Sequence, residues 1–498
     1  MHRILRFRTS LVLVAAGLGA VLNCGGSEFP LETVTFTASE GLVTPGVSGA
    51  LLYLTPPEGL HEEPPAASSR PLYGTLDVGR ILRLDESQGT GRGYDRLLVD
   101  LNGNGSLADD KPYPALAAKR TQSASSMNRT FGPVQMASST NTDDGRPAFN
   151  ATLTLYNPQG LSKGLVTSGS AAGYLITKPA SYLKARVELD GMTETVGFLD
   201  GNGNLRLGDT AQFADTARFK SRDWEWLRAD YVFRDKDGSG KFERRRVRDE
   251  LELFSNQIYF SGKPFKVSFP ASGRLRLEPV TEVGTFAVTS DCPLDSLVLL
   301  QRTPDAKWQV LVPQVINNKV LVPGGVYRLF SCSYSLTRGK ETFVGLGFAN
   351  AAGQEYSVQP GQTVSLPCGP PLKATVTATP NPEAHPTLQT LIQGDLPAII
   401  LRAQLCGAGG ETYTAFYRGP RAFKPVAPRF PSYEISSRAY RNYTGTLRGE
   451  SDGSFAKVVS LPRFFNNQSV LVTATFDLNT LGFPSSATAT TPLVIKSP

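Results

Sequence analysis

The sequence predicts an all-β chain: several β-sandwich-like domains in tandem, with few short helices. Helical periodicity is scarce. Apolar and polar residues instead alternate in short runs rich in Val, Leu, Tyr, Phe and Thr, such as KARVELDG (184–191), FVGLGFA (343–349) and QSVLVTATF (468–476). Period two of this kind is the signature of half-buried strands. The runs end in Gly, Pro, Asn or Asp, and the 48 Gly and 36 Pro of the chain supply turns at the density that short strands require. With 498 residues, of which 40% are hydrophobic and 19% charged, there is ample material for several cores.

The first 23 residues stand apart. MHRILRFR carries three arginines and leads into TSLVLVAAGLGAVL. Its apolar stretch of about 12 residues is too short to span a bilayer and right for the core of an export signal. VLNCGG follows, and its Cys24 resembles the lipidated cysteine of a bacterial lipobox, although Leu22 and Asn23 are larger than that motif prefers. The resemblance implies an exported protein held to a membrane by a lipid on Cys24. Gly25 stands where an inner-membrane retention signal has Asp, which by analogy implies the outer membrane.

Four β segments follow in order. Residues 24–160 hold the loop in YDRLLVDLNGNGSLADDKPY (94–113) and a polar insertion near 119–147. Residues 161–280 hold two related loops, in VGFLDGNGNLRLGDT (196–210) and YVFRDKDGSGKFERR (231–245). Composition breaks near 280 and again near 370, which sets off a cysteine-bearing β-sandwich at 281–370 and an Ig-like β-sandwich at 371–498.

The three loops share a chemistry. A calcium loop of the DxDxDG type needs oxygen-bearing side chains at positions 1, 3 and 5 and a sharp bend at 6. Those positions are Asp100, Asn102, Asn104 and Gly105 in the first copy, and Asp200, Asn202, Asn204 and Leu205 in the second. In the third they are Asp235, Asp237, Ser239 and Gly240. Position 12, where an EF-hand has a bidentate Glu, is Lys111, Ala211 or Arg246, so none is an EF-hand. A late acid is nevertheless present: Asp109, Asp209 and Glu243. The competing reading is plain hairpin chemistry, since Asn-Gly and Asp-Gly mark tight turns by themselves. The first loop, with charged ligands Asp100 and Asp109, is the best Ca2+ candidate, at an affinity of about millimolar.

LVDLNGNGSLADD together with GKPFKVSF and GRLRLEP resembles uncharacterised secreted bacterial β-rich lipoproteins that carry Asp/Asn-Gly loops. GPPLKATVTATP and LRAQLCGAGGETYTAF are similar to an Ig-like C-terminal module of such proteins. The resemblance implies export and calcium; it implies no activity.

Four cysteines besides Cys24 remain, Cys292, Cys332, Cys368 and Cys406, an even number suited to an oxidising compartment. Three pairings are open; the favoured one is Cys292–Cys332 with Cys368–Cys406, each stapling neighbouring strands. Losing the leader's Arg3, Arg6 and Arg8 takes Lys and Arg from 51 to 48 against 44 acids, a net charge of +4 and no nucleic-acid footprint. The basic run KFERRRVRDELE (241–252) alternates into acids and reads as a solvated face.

Signs of catalysis are sparse. His2 lies in the leader, and His61 and His385 sit in Pro-rich loops, poor places for a general base. HEEPP is not a zinc-protease motif, and neither GxSxG nor a P-loop occurs. Trp224 and Trp226 alternate on one face, as core residues or as a stacking surface for sugar. The sequence therefore reads as an exported, lipid-anchored envelope protein, a structural or binding module for an envelope protein or polysaccharide, rigidified by Ca2+. The alternative is a carboxylate-based hydrolase acting on envelope glycans.

Overall fold

The computed structural model describes residues 26–36, 48–76, 79–89, 93–116, 129–137, 148–156, 172–204, 207–213, 229–235, 242, 251–270, 273–349, 353–381, 398–419, 424–425, 429–437, 442–450, 454–462, 465 and 467–495. Cys24, Asp237, Ser239, Glu243, Trp224 and Trp226 lie outside them.

The protein is all-β, as its alternation predicts. Strand Val283–Thr289 buries every second residue, and Ser469–Asp477 does the same along its length. Helical structure among the described residues is confined to short 3-10 turns such as Asn479–Leu481. Turn chemistry sets the registers. Strands Ser181–Leu189 and Met192–Leu199 pair with Leu189 opposite Met192, so Asp190 and Gly191 alone make the connection, at φ of 51° and 77°. Two consecutive positive φ values define the hairpin turn whose twist matches that of its strands.

The strand pairing cuts across the boundaries that composition suggests. Ser27–Pro30 pairs with Arg274–Pro279 at the edge of one four-stranded sheet, whereas Glu32–Thr35 pairs with Ser181–Leu189 at the edge of a five-stranded one. These two sheets share a core that includes Leu183, Phe198, Phe254 and Leu277, with Leu31 packed against it where the chain crosses over. A first sandwich, with its own core of Leu52, Leu82, Leu97, Phe131 and Leu153, lies in sequence between Glu32–Thr35 and Ser181–Leu189. Its ends meet: the Phe36 N–H donates to the Ala180 carbonyl at 3.0 Å.

The boundary near 370 likewise disappears in space. A 12-stranded sheet runs through both C-terminal segments, because Glu341–Phe348 pairs with Thr412–Arg418. One core joins residues from Tyr259 to Ile495. Composition marks where a chain turns polar; it carries no information about which edges later pair.

Arg234, which ends strand Tyr231–Arg234, ties the two sheets of the second sandwich. Its Nε and Nη2 donate to the Glu194 carboxylate at 2.7 and 2.9 Å, Nη2 also donates to the Tyr259 carbonyl, and the guanidinium lies 5.3 Å from the centre of the Phe260 ring. Removing one partner of a buried pair strands the other. Arg234→Ala is expected to lower unfolding free energy in urea by about 3–5 kcal/mol, and Arg234→Lys, lacking the planar fork, to recover less than half of that loss.

Candidate functional site

The first two loops begin in the same way. Strand Arg96–Val99 is buried over its last three residues, and strand Met192–Leu199 over its last four. Each carries the next residue, Asp100 or Asp200, into the interior at 1% exposure. The Asp100 N–H continues the ladder by donating to the Ile81 carbonyl at 2.8 Å. A carboxylate buried there needs donors at once, and the loop supplies them.

In the first loop the Gly103 and Asn104 N–H groups donate to Asp100 Oδ1 at 2.6 and 3.2 Å, and Gly105 N–H donates to Oδ2 at 3.0 Å. In the second, Gly203 and Asn204 donate to Asp200 Oδ1 at 2.7 and 3.1 Å. The Asn side chains repeat as well. Asn104 and Asn204 N–H donate to Asn102 and Asn202 Oδ1 at 3.0 and 2.9 Å. The Asn102 and Asn104 amides donate to Asp109 Oδ2 at 2.9 and 3.1 Å, and those of Asn202 and Asn204 donate to Asp209 Oδ2. The structure therefore brings together Asp100, Asn102, Asn104 and Asp109 in one loop, and Asp200, Asn202, Asn204 and Asp209 in the other. Of the third loop only Asp235 is described, with its N–H on the Thr195 carbonyl at 3.1 Å.

Surroundings distinguish the two loops. Asn102, Asn104 and Asp109 face solvent, and donation from the Asn102 amide holds the Asp109 carboxyl below the usual range. Gly105, at φ of 78°, is obligatory: a Cβ there would lie 2.4 Å from the Gly59 carbonyl and 2.8 Å from the His61 ring. The segment that comes so close is HEEPP, clamped by the buried Arg83, whose Nη1 donates to Glu63 at 2.7 Å and to the Pro64 carbonyl at 2.6 Å. It places Glu62 on the loop, where Ser106 Oγ donates to Glu62 Oε2 at 3.1 Å. His61 is exposed and lies beside the loop. In the second loop Asn202 is buried, and Gly203, at φ of 71°, sits so close to Thr177 that a Cβ would approach its carbonyl to 2.8 Å. From Asp209 the chain runs into strand Gln212–Phe213, which pairs with Trp308–Leu311 of the large sheet.

Two further acids join these loops without a signal in the loop pattern. Asp110 accepts from the Leu101 N–H at 3.3 Å through Oδ1, while its Oδ2 is buried and takes no hydrogen bond. Burial, then the Asp109 and Asp100 charges, push its carboxyl up to about 6. Asp230 accepts from Gly201 at 3.2 Å, Gly208 at 2.8 Å and Asp209 at 2.9 Å. Burial and the Asp200 charge push it well above the usual range against those donors. The adjacent pair Asp109-Asp110 is the one clue to the first; the second comes from the next strand and only register brings it in.

The donor set is hard oxygen throughout, which suits Ca2+ better than a transition metal. No group of three or more His, Cys, Asp or Glu side chains is poised to hold a metal ion among the described residues; the shared ligand pattern relies on Asn. An amide oxygen has two lone pairs, so accepting a backbone N–H leaves it able to face a cation. No family model matches this chain, and no curated protein is similar to it at a significant level.

The expected pairs Cys292–Cys332 and Cys368–Cys406 are not formed; all four cysteines are free thiols. Register explains it. Leu297 is the residue opposite Cys332, and Leu294 is already opposite Tyr334, which carries Cys292 past Cys332 along the strand. Cys406 lies opposite Lys373, five positions beyond Cys368.

Asp110 gives a pH signature to the protein in EGTA. Its carboxyl holds a proton more tightly when folded, at about 6, than an ordinary aspartate does at 3.8, so its contribution is fully present below pH 4 and is lost as pH rises through 6. Asp110→Asn, which keeps the acceptor for Leu101, is expected to match the parent in urea midpoint below pH 4 and to exceed it above pH 6. Parallel midpoints across that window would refute the shift.

Proposed function

We propose that the chain is an exported, lipid-anchored β protein of the cell envelope that acts as a structural or binding module, with Ca2+ held by its Asp/Asn loops to stiffen the N-terminal half. One observation carries the calcium part: two loops about 100 residues apart in sequence close with the same set of hydrogen bonds around a buried leading Asp and a late Asp. A turn selected only to reverse the chain has no need of two Asn amides aimed at a second carboxylate.

Asp100, Asn102, Asn104 and Asp109 would hold the ion in the first loop. Bound Ca2+ would offset the cost of crowding Asp100, Asp109 and Asp110 together. The anchoring part rests on the arginine-led apolar leader and on Cys24, and the module part on tandem sandwiches that share sheets. The partner is then an envelope protein or polysaccharide.

Thermal unfolding in EGTA and in rising Ca2+ tests the calcium reading. At a concentration ten times its dissociation constant, one site that binds only the folded state adds about 1.4 kcal/mol, which for domains of this size raises the midpoint by roughly 3–5 °C. Asp100→Ala and Asp109→Ala are each expected to remove the first loop's share, and Mg2+ to substitute poorly. A midpoint indifferent to Ca2+ in the parent would leave the loops as turns.

A further inference from the structure

Three turns gather where the chain enters the second sandwich. Strand Ser27–Pro30 runs antiparallel to Arg274–Pro279 with Ser27 opposite Leu277, and Gly26 lies against Glu278, where a Cβ would come within 2.7 Å of its Cγ. Arg274–Pro279 pairs in turn with Lys263–Ser268, Phe265 opposite Pro279. The entry is therefore at the end of the sheet where the hairpin Ser261–Gly262 turns. Cys24 precedes Gly26 by two positions, a reach of at most ~7 Å.

Two other turns pack on that hairpin. Asp190–Gly191 meets it through Lys263 Nζ, which donates to Asp190 Oδ2 at 2.7 Å, and through Ser261 Oγ, 3.5 Å from Met192 Sδ. The turn Ile316–Lys319 meets it through Gln314 Oε1, which accepts the Gly262 N–H at 2.8 Å. Ile316 lies over the same glycine, its Cδ1 2.8 Å from where a Cβ would be. Turns are ordinarily polar. Here Met192 and Ile316 are 56% and 43% exposed, beside the exposed Lys263 and Lys319.

The first sandwich leaves from the opposite end. It joins at Phe36 and Ala180, at the start of strand Ser181–Leu189, and Asp190–Gly191 follows that strand's far end. Nine extended residues separate the two ends by roughly 30 Å.

We propose that the entry end lies on a phospholipid bilayer, with Met192 and Ile316 set among the headgroups and Lys263 and Lys319 at the rim. This rests on the reading of Cys24 as lipid-anchored. A lipid on Cys24 holds Gly26 within that short reach of the headgroups, and apolar side chains at the same end gain by leaving water. Lysines suit the rim, since their stems cover apolar surface while the ammonium stays in water. Asp190 already offsets Lys263, so the surface asks for no anionic lipid. The first sandwich and its Asp/Asn loop then stand off from the membrane, open to a partner.

The test is lysine acetylation read by mass spectrometry. The chain from Gly25, with a hexahistidine tag in place of the leader and Cys24, is held on phosphatidylcholine vesicles containing a nickel-chelating lipid. The same protein without vesicles gives the reference rates. On vesicles Lys263 and Lys319 are expected to react at least about fivefold more slowly, and Lys111, exposed on the first sandwich, at its reference rate. Met192→Asp combined with Ile316→Asp should return both lysines to their reference rates. Unprotected Lys263 and Lys319, equal protection of Lys111, or protection that survives the double substitution overturns the proposal. The anchor is read separately, as acyl mass on the Cys24 peptide of protein isolated from its own cells. An unmodified Cys24 removes the anchor reading, and the surface then stands or falls on the vesicle result alone.

Discussion

A carboxylate buried at the end of a strand must find its hydrogen-bond donors within the next few residues, and the candidate site follows from that constraint. Asp100 and Asp200 are each 1% exposed, and leaving such a group unsatisfied costs several kcal/mol. The nearest donors are the backbone N–H groups three and four positions on, so the chain has to double back immediately. Gly103 and Gly203, at φ of 74° and 71°, make that return without strain. Doubling back then brings the late Asp within reach of both Asn amides. The loop shape is thus a consequence of burying its first residue, with or without an ion.

A second constraint, the closing of sheet edges, explains the order of the chain. Ser27–Pro30 and Glu32–Thr35 are short strands on the edges of two facing sheets, and Leu31 between them enters the shared core. One stretch therefore covers two edges that would otherwise offer unpaired backbone to another chain. The first sandwich is inserted behind this stretch, with its entrance and exit pinned by the bond from Phe36 to Ala180. An insertion anchored in this way keeps its own core, which is why the first loop and the second belong to different sandwiches while sharing one local design.

Much of this was legible in the sequence because it is local. Alternation located strands such as Ser181–Leu189 and Ser469–Asp477, in the runs at 184–191 and 468–476, and the Asp100 and Asp109 loop residues lie together across the Asn102 and Asn104 amides. What escaped is non-local. Asp230 lies 30 residues beyond Asp200 and arrives only because Leu199 pairs with Tyr231. Glu62 arrives because Arg83 clamps the HEEPP segment. The expected cysteine pairs are not formed for the same reason: closeness along the chain suggested neighbours, whereas register sets Leu297 opposite Cys332 and Lys373 opposite Cys406. Composition likewise gives no sign that strands at 27–30 and 274–279, or 341–348 and 412–418, pair over long separations.

Under the calcium reading the two loops are not equivalent, and their difference is one of access. Each late carboxylate is already held by two amide donors. A cation has to displace them, so its affinity is set by the ligands it gains beyond those it releases. In the first loop the Asn102, Asn104 and Asp109 side chains stand in water, where the exchange of amide for ion meets no steric barrier. In the second, Asn202 is buried, Gly203 lies against Thr177, and the extra acid, Asp230, already accepts three backbone N–H groups. Those bonds give the second loop its rigidity from within the protein. Under that reading the same design makes the first loop the more accessible of the two to an ion.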